Sequence, residues 1–128
     1  IATVKSCYIE GIPTALTGEI FNGNSDWMCA MKEIDIMSVT ESPTAEIEIF
    51  EKLGRHPNIV RYFFHQTNNR KLQIFLKLYK ETLRDIIQRR SEQHNPFSLE
   101  EIVNILIDIA CGLNYMHANR ILHRGWFL

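Results

Sequence analysis

Ser98-Leu99-Glu100-Glu101 opens the most constrained part of the chain. A Ser that accepts the backbone N–H three residues on, with a Glu there to reach back, is a capping box, and it marks where a helix must start. Behind it Ile102, Ile105, Leu106, Ile109, Leu113 and Met116 recur at helical spacing. The spacing predicts one helix reaching about Ala118, with those six residues on its core-facing side. The longest apolar stretch, Ile102 to Met116, is interrupted by Asn104, Asp108, Gly112 and Asn114. It is too short and too polar to span a bilayer, so it reads as a buried helix.

The rest of the chain has a different rhythm. Residues 1–23 read as a strand, a turn and a second strand around Gly18 to Phe21. Asn22-Gly23-Asn24-Ser25-Asp26 has hairpin chemistry, and Trp27 to Ile34 reads as the next strand. On it Met28, Ala30 and Lys32 share one face, and Cys29 and Met31 the other. Ser42 as N-cap, Pro43 in the first helical position and Gly54 as a stop predict a helix between them. Its apolar stripe is read as Ile49, Phe50 and Leu53, with Glu46 lying on it. Two more β-rich runs, Ile59 to His65 and Leu72 to Leu78, are joined by Thr67-Asn68-Asn69-Arg70. Thr82 to Arg90 reads as a short helix, broken by Gln93-His94-Asn95-Pro96. Five strands with a helix after the third, then a helical segment, is an α+β pattern.

A net charge of -1 over 128 residues offers no electrostatic footprint for nucleic acid or an anionic membrane. Cys7, Cys29 and Cys111 are odd in number and far apart, and match neither a disulfide framework nor a metal pattern. Reduced thiols in a cytosol-facing domain are expected.

Glu46 carries the first chemical argument. A carboxylate on an apolar helix stripe is costly unless paired, and Lys32 is the obvious partner, although a lone strand Lys is ordinarily a solvated one. Several runs then fall in register with this pair: Cys29-Ala30-Met31-Lys32, Leu53-Gly54-Arg55-His56-Pro57-Asn58-Ile59-Val60-Arg61-Tyr62-Phe63, Gly112-Leu113-Asn114-Tyr115-Met116-His117 and Ile121-Leu122-His123-Arg124. Together they resemble the eukaryotic protein kinase domain over nearly the whole chain. Within that superfamily the runs 56–63 and 76–83 are similar to the inositol-requiring kinase–ribonuclease of the unfolded protein response.

The resemblance implies a kinase-like N-lobe and hinge over 1–79, with a five-stranded antiparallel sheet plus one helix, and the truncated start of the C-lobe over 80–128. It implies ATP with Mg²⁺, a protein hydroxyl as phosphoryl acceptor, and a nucleotide site built from Lys32, Glu46, Gly18, Ile20, Ala30, Leu76, Lys77, Leu78 and Tyr79. In such a site the Lys reaches the α and β phosphates and the Glu holds it. Leu76 takes the gatekeeper position and Lys77-Leu78-Tyr79 the hinge, with Lys77 in place of the usual Glu. The implied location is cytoplasmic, or the cytosolic face of the endoplasmic reticulum.

The departures bear on activity. His123 and Arg124 keep two residues of the His-Arg-Asp motif, and Gly125 stands where the catalytic Asp belongs. Neither the metal-binding Asn nor an Asp-Phe-Gly segment occurs in this chain, so no catalytic residue and no metal ligand is assigned. Laying Ile20 on the Val of the glycine-rich loop puts Pro13, Ala15 and Gly18 on its three glycines. Pro13 lacks an N–H, and Ala15 adds a Cβ where the loop should lie close over phosphate; in another register Gly11 belongs to the loop. The expectation is an ATP-binding part of a Ser/Thr-type kinase, inactive as this chain, with weak or absent nucleotide binding. A non-catalytic pseudokinase module is the alternative.

Overall fold

The computed structural model describes residues 3–8, 28–37, 42 and 44–123. The expected strand around Gly18 to Phe21 and the Asn22–Asp26 turn lie outside them. So do Trp27, Pro43 and the tail from Arg124. The chain divides into two compact units, Ile1–Arg55 with Val60–Leu78, and His56–Ile59 with Tyr79–Leu128.

The described residues of the first unit form an antiparallel sheet with one helix. Its described strands are β1 (Thr3–Tyr8), β2 (Met28–Asp35), β3 (Tyr62–Asn68) and β4 (Lys71–Leu76), in the order β1-β2-β4-β3. Helix α1 (Thr44–Leu53) follows β2. The β3–β4 hairpin turns on Asn69 and Arg70 alone, at φ 47° and 65°. Two successive positive φ values are what a two-residue loop with the strands' own twist needs. That turn is tighter than the four-residue link expected, and β3 begins at Tyr62 rather than Ile59. Ile59 belongs to the other unit, and Val60 and Arg61 lead into the strand.

Strand parity decides the core. Ile34, Leu72 and Ile74 lie on one face, with Ile34 directly opposite Leu72, and they pack with Ile47 of α1; Ile36, Phe50, Tyr62 and Leu76 extend the cluster. The opposite face carries a polar ladder: Lys71 and the Gln73 amide donate to Glu33, each at 3.0 Å, and Gln66 donates to Gln73 at 2.8 Å. The helix stripe differs from expectation. Ile47 is buried and Ile49 exposed, because the sheet meets the side of α1 that carries Ile47, Phe50 and Leu53. Gly54 ends the helix at φ 59° with its N–H on the Phe50 carbonyl, so the expected stop is a left-handed cap. At the other end the Ser42 carbonyl accepts the Ala45 N–H.

The second unit holds α2 (Leu83–Glu92) and α3 (Leu99–Ala118). Both open on full capping boxes: Thr82 with Asp85, and Ser98 with Glu101. Thr82-Leu83-Arg84-Asp85 carries the signal as plainly as the second box. Glu101 does two things. One oxygen accepts the Ser98 N–H at 2.8 Å and the other accepts Arg90 at 3.0 Å, while that guanidinium also covers the Phe97 ring. These bonds hold the Glu101 carboxyl down at about 2, Arg90 first and the Ser98 N–H next.

The segment His56–Ile59 docks on α3. The His56 ring stacks on Tyr115 with centroids 4.3 Å apart, and its Nδ1 accepts the Asn58 N–H at 3.1 Å. Gly112 makes the approach possible: a Cβ there would meet the Asn58 carbonyl oxygen at 2.7 Å. Met116 is buried on the same helix, and Ile121 is turned inward behind the cap formed by Asn119 and Arg120. The expected core face of α3 holds only in part. Ile102 and Leu106 are exposed together with Leu99, Val103 and Ile107, since nothing among the described residues of this unit covers that side.

Two outcomes follow from this packing. Ala is the better helix former by about 1 kcal/mol, yet Gly112→Ala should destabilise by about 1–3 kcal/mol, because a backbone oxygen cannot swing away from the new methyl. Urea unfolding, with Cys111→Ala as a near-neutral neighbour, reads the sign. Glu101 has a folded value below its ordinary value of 4.5, so its contribution is present above that pH and lost as the pH falls toward about 2. Glu101→Gln should therefore lower the melting temperature at pH 7 and flatten its decline across that acid window.

Candidate functional site

Lys32 sits on the core-side face of β2, between Ala30 and Ile34 and opposite Ile74 of β4. Alternation along the strand puts its stem over carbon, and an ammonium on such a face needs a partner. α1 supplies one. Glu46 lies in the first turn of α1, where the helix dipole favours a negative charge. Lys32 Nζ and Glu46 Oε1 form a direct ion pair, with both side chains about seven-tenths covered.

Phe50 lies one turn beyond Glu46 and stacks on Tyr62 of β3, with centroids 5.4 Å apart and planes 14° apart. The Tyr62 hydroxyl meets His65 Nδ1 at 2.7 Å. Burial, and then the nearby Glu51 carboxylate, push the phenol above its ordinary value. This contact fixes α1 against the edge strand. Sequence reading overlooked it, although Phe50 at i+4 from Glu46 places the two on one helix face.

Ala30 and Leu76 are directly opposed across the β2–β4 ladder, on the same face as Lys32. Leu76 packs against the core cluster, and beyond it the Lys77 N–H donates to the Arg61 carbonyl at 2.8 Å. The first unit thus brings together Lys32, Glu46, Ala30 and Leu76. Lys77 and Leu78 are exposed at its end, and Tyr79 begins the other unit. His123 is exposed beyond the α3 cap. Gly18, Ile20, Arg124 and Gly125 lie outside the described residues. Among the described residues no group of three or more His, Cys, Asp or Glu side chains is placed to hold a metal ion. No helix among them is long and apolar enough to cross a membrane.

A strand Lys paired with a helix Glu is a geometry that many folds could assemble, and comparison with known proteins decides among them. The family model of the protein kinase domain matches residues 16–125. The chain belongs to the protein kinase domain family. Its sheet with α1 is kinase N-lobe-like, and α2 and α3 follow it in the chain. It is similar to the kinase and exchange factor for Rac B of Dictyostelium discoideum, 32% identical over 128 residues, covering 95% of this chain and 10% of that protein. It is 33% identical to the mitogen-activated protein kinase kinase kinase YODA of Arabidopsis thaliana over 113 residues, 81% of this chain and 12% of that protein. It is 30% identical to the sensor for unfolded proteins in the ER ire1 of Schizosaccharomyces pombe over 95 residues, 74% of this chain and 9% of that protein. The chain thus spans about a tenth of the length of these relatives. Identities of 30–33% to kinases of such different kinds single out no subfamily.

A double-mutant cycle measures the pair. Lys32→Met and Glu46→Gln should couple by about 1 kcal/mol, the upper end for pairs that water still reaches. The coupling should shrink as salt is added. Additive effects in urea unfolding would mean that the two side chains act separately.

Proposed function

We propose that the first unit is the ATP-binding lobe of a Ser/Thr-type protein kinase domain, with Lys32 as its phosphate anchor. The Lys32–Glu46 pair is the observation that carries this reading. A carboxylate at one side of an ammonium fixes its position without using all three of its donors. A phosphate oxygen is the natural acceptor for the rest. Ala30 and Leu76 supply an apolar surface fit for a purine ring, and the backbone of Lys77 and Leu78 the polar partners for its edge. Bound ATP would supply the transferable γ-phosphoryl group, with a hydroxyl of another protein as acceptor. Among the described residues no cluster of three or more His, Cys, Asp or Glu side chains is placed to hold a metal ion, and no step runs through Mg²⁺.

Gly125 takes the place of the residue that would accept the hydroxyl proton. Loss of a general base alone typically costs ~10²–10⁴-fold, so the 128-residue chain is proposed to bind nucleotide weakly and to transfer no phosphoryl group. Gly125, with Pro13 and Ala15 on the glycine-loop positions, also supports the second reading, a non-catalytic pseudokinase module. The runs 56–63 and 76–83 support a place near the unfolded-protein-response kinase–ribonucleases, and with it the cytosolic face of the endoplasmic reticulum. Other kinases are just as similar overall.

Ligand-dependent melting separates the two main readings. At ten times its Kd, Mg-ATP stabilises a folded protein by about 1.4 kcal/mol. The chain should melt higher in millimolar Mg-ATP, and Lys32→Met should abolish the rise. An unshifted wild-type chain favours the pseudokinase module; a shift that survives Lys32→Met sinks the anchoring role.

A further inference from the structure

The fold opposes two cysteines that the sequence keeps far apart. In the β1–β2 ladder Cys7 is the direct partner of Cys29, flanked by the pairs Ser6 with Ala30 and Tyr8 with Met28. Directly opposed residues in antiparallel strands have Cα atoms about 4.5 or 5.5 Å apart, depending on the pair type. Both separations fall within the ~4.4–6.8 Å that a disulfide spans. Cys29 is wholly buried, whereas Cys111 is exposed on α3 in the other unit.

We propose that Cys7 and Cys29 form a cross-strand redox pair, closed by exchange with a small-molecule disulfide such as oxidised glutathione. The exchange is proposed to begin at Cys7. Its thiolate attacks one glutathione sulfur, the glutathione S–S bond breaks, and one reduced glutathione leaves. The Cys29 thiol then loses its proton and attacks the Cys7 sulfur of the mixed disulfide, releasing the second glutathione. Two protein thiols are oxidised and one glutathione disulfide is reduced to two thiols, so electrons and atoms balance. An opposed thiol is already at high effective concentration, whereas Cys111 has no such neighbour on the ladder.

The bond would tie together the two ends of residues 9–27, three residues before Lys32 on β2. That segment holds Gly11, Pro13, Ala15 and Gly18. Any effect on nucleotide binding rests on the ATP-binding reading above; formation of the bond does not.

The test equilibrates the folded chain in glutathione buffers, quenches with acid, blocks remaining thiols with N-ethylmaleimide and maps peptides by mass. Trypsin leaves both cysteines in one peptide, residues 6–32, because no Lys or Arg lies between Lys5 and Lys32. The expected product is that peptide lighter by two hydrogens and carrying no maleimide. A Glu-specific protease, cutting after Glu10 and Glu19, should release the same bond as two linked pieces. Pairing of Cys7 with Cys29 should exceed either pairing with Cys111 by at least about ten-fold, an advantage lost in concentrated urea. Cys111→Ser should leave the bond intact, and Cys7→Ser should abolish it. Maleimide on both Cys7 and Cys29, at a glutathione ratio that already modifies Cys111, overturns the proposal, as does a glutathione adduct at Cys7 that never resolves. A bond that forms in a chain showing no Mg-ATP shift, oxidised or reduced, keeps the redox pair and removes only the nucleotide reading.

Discussion

Lys32 stands on a strand face that otherwise buries carbon, and the chemistry of the first unit is organised around that placement. The β2–β4 register sets Ile34 against Leu72 and Lys32 against Ile74, so the charge borders the most buried side chains of the unit. α1 answers with two residues one turn apart. Glu46 neutralises the ammonium, and Phe50 carries the helix onto Tyr62. The hydrophobic contact supplies most of the attraction between helix and sheet, while the ion pair specifies which part of the helix sits over which strand. A helix offering Ile47 and Phe50 without Glu46 would still pack, but it would leave an ammonium against carbon.

The second unit obeys a different constraint, close approach of backbone to backbone. Gly112 lets Asn58 reach the helix, and the His56 ring then finds Tyr115. Arg90, Glu101 and Ser98 tie the end of α2 to the start of α3 through charge and capping bonds. These polar links lie near solvent, so they fix geometry more than they add stability.

Much of this was legible in the chain because it is local. Capping boxes, a left-handed glycine stop and strand parity depend on neighbours within a few residues, and Ser98, Gly54 and the β2 faces fell where their patterns put them. The pairing of Lys32 with Glu46 was legible for another reason: a carboxylate on an apolar stripe demands a partner. What escaped depended on what lies across from each element. Ile47 and Ile49 sit on the same short helix with nearly equal claims to the core, and only the position of the sheet chooses Ile47. Ile102 and Leu106 have a periodicity indistinguishable from that of buried residues, and the neighbours of the helix decide their exposure. Phe50, Tyr62 and the opposition of Cys7 to Cys29 needed the sheet register, which no spacing encodes.

The segment His56–Ile59 is short, yet it makes the first unit discontinuous along the chain. The backbone leaves that unit after Arg55 and returns to it at Val60. A single cut after Leu78 would not release two whole halves. The N-terminal piece would carry His56 and Asn58 away from Tyr115 and Gly112, and the helical piece would expose the bare groove that Gly112 keeps open. Recombinant expression of the sheet with α1 therefore calls for redesign of four residues in its middle, not only for a well-chosen end.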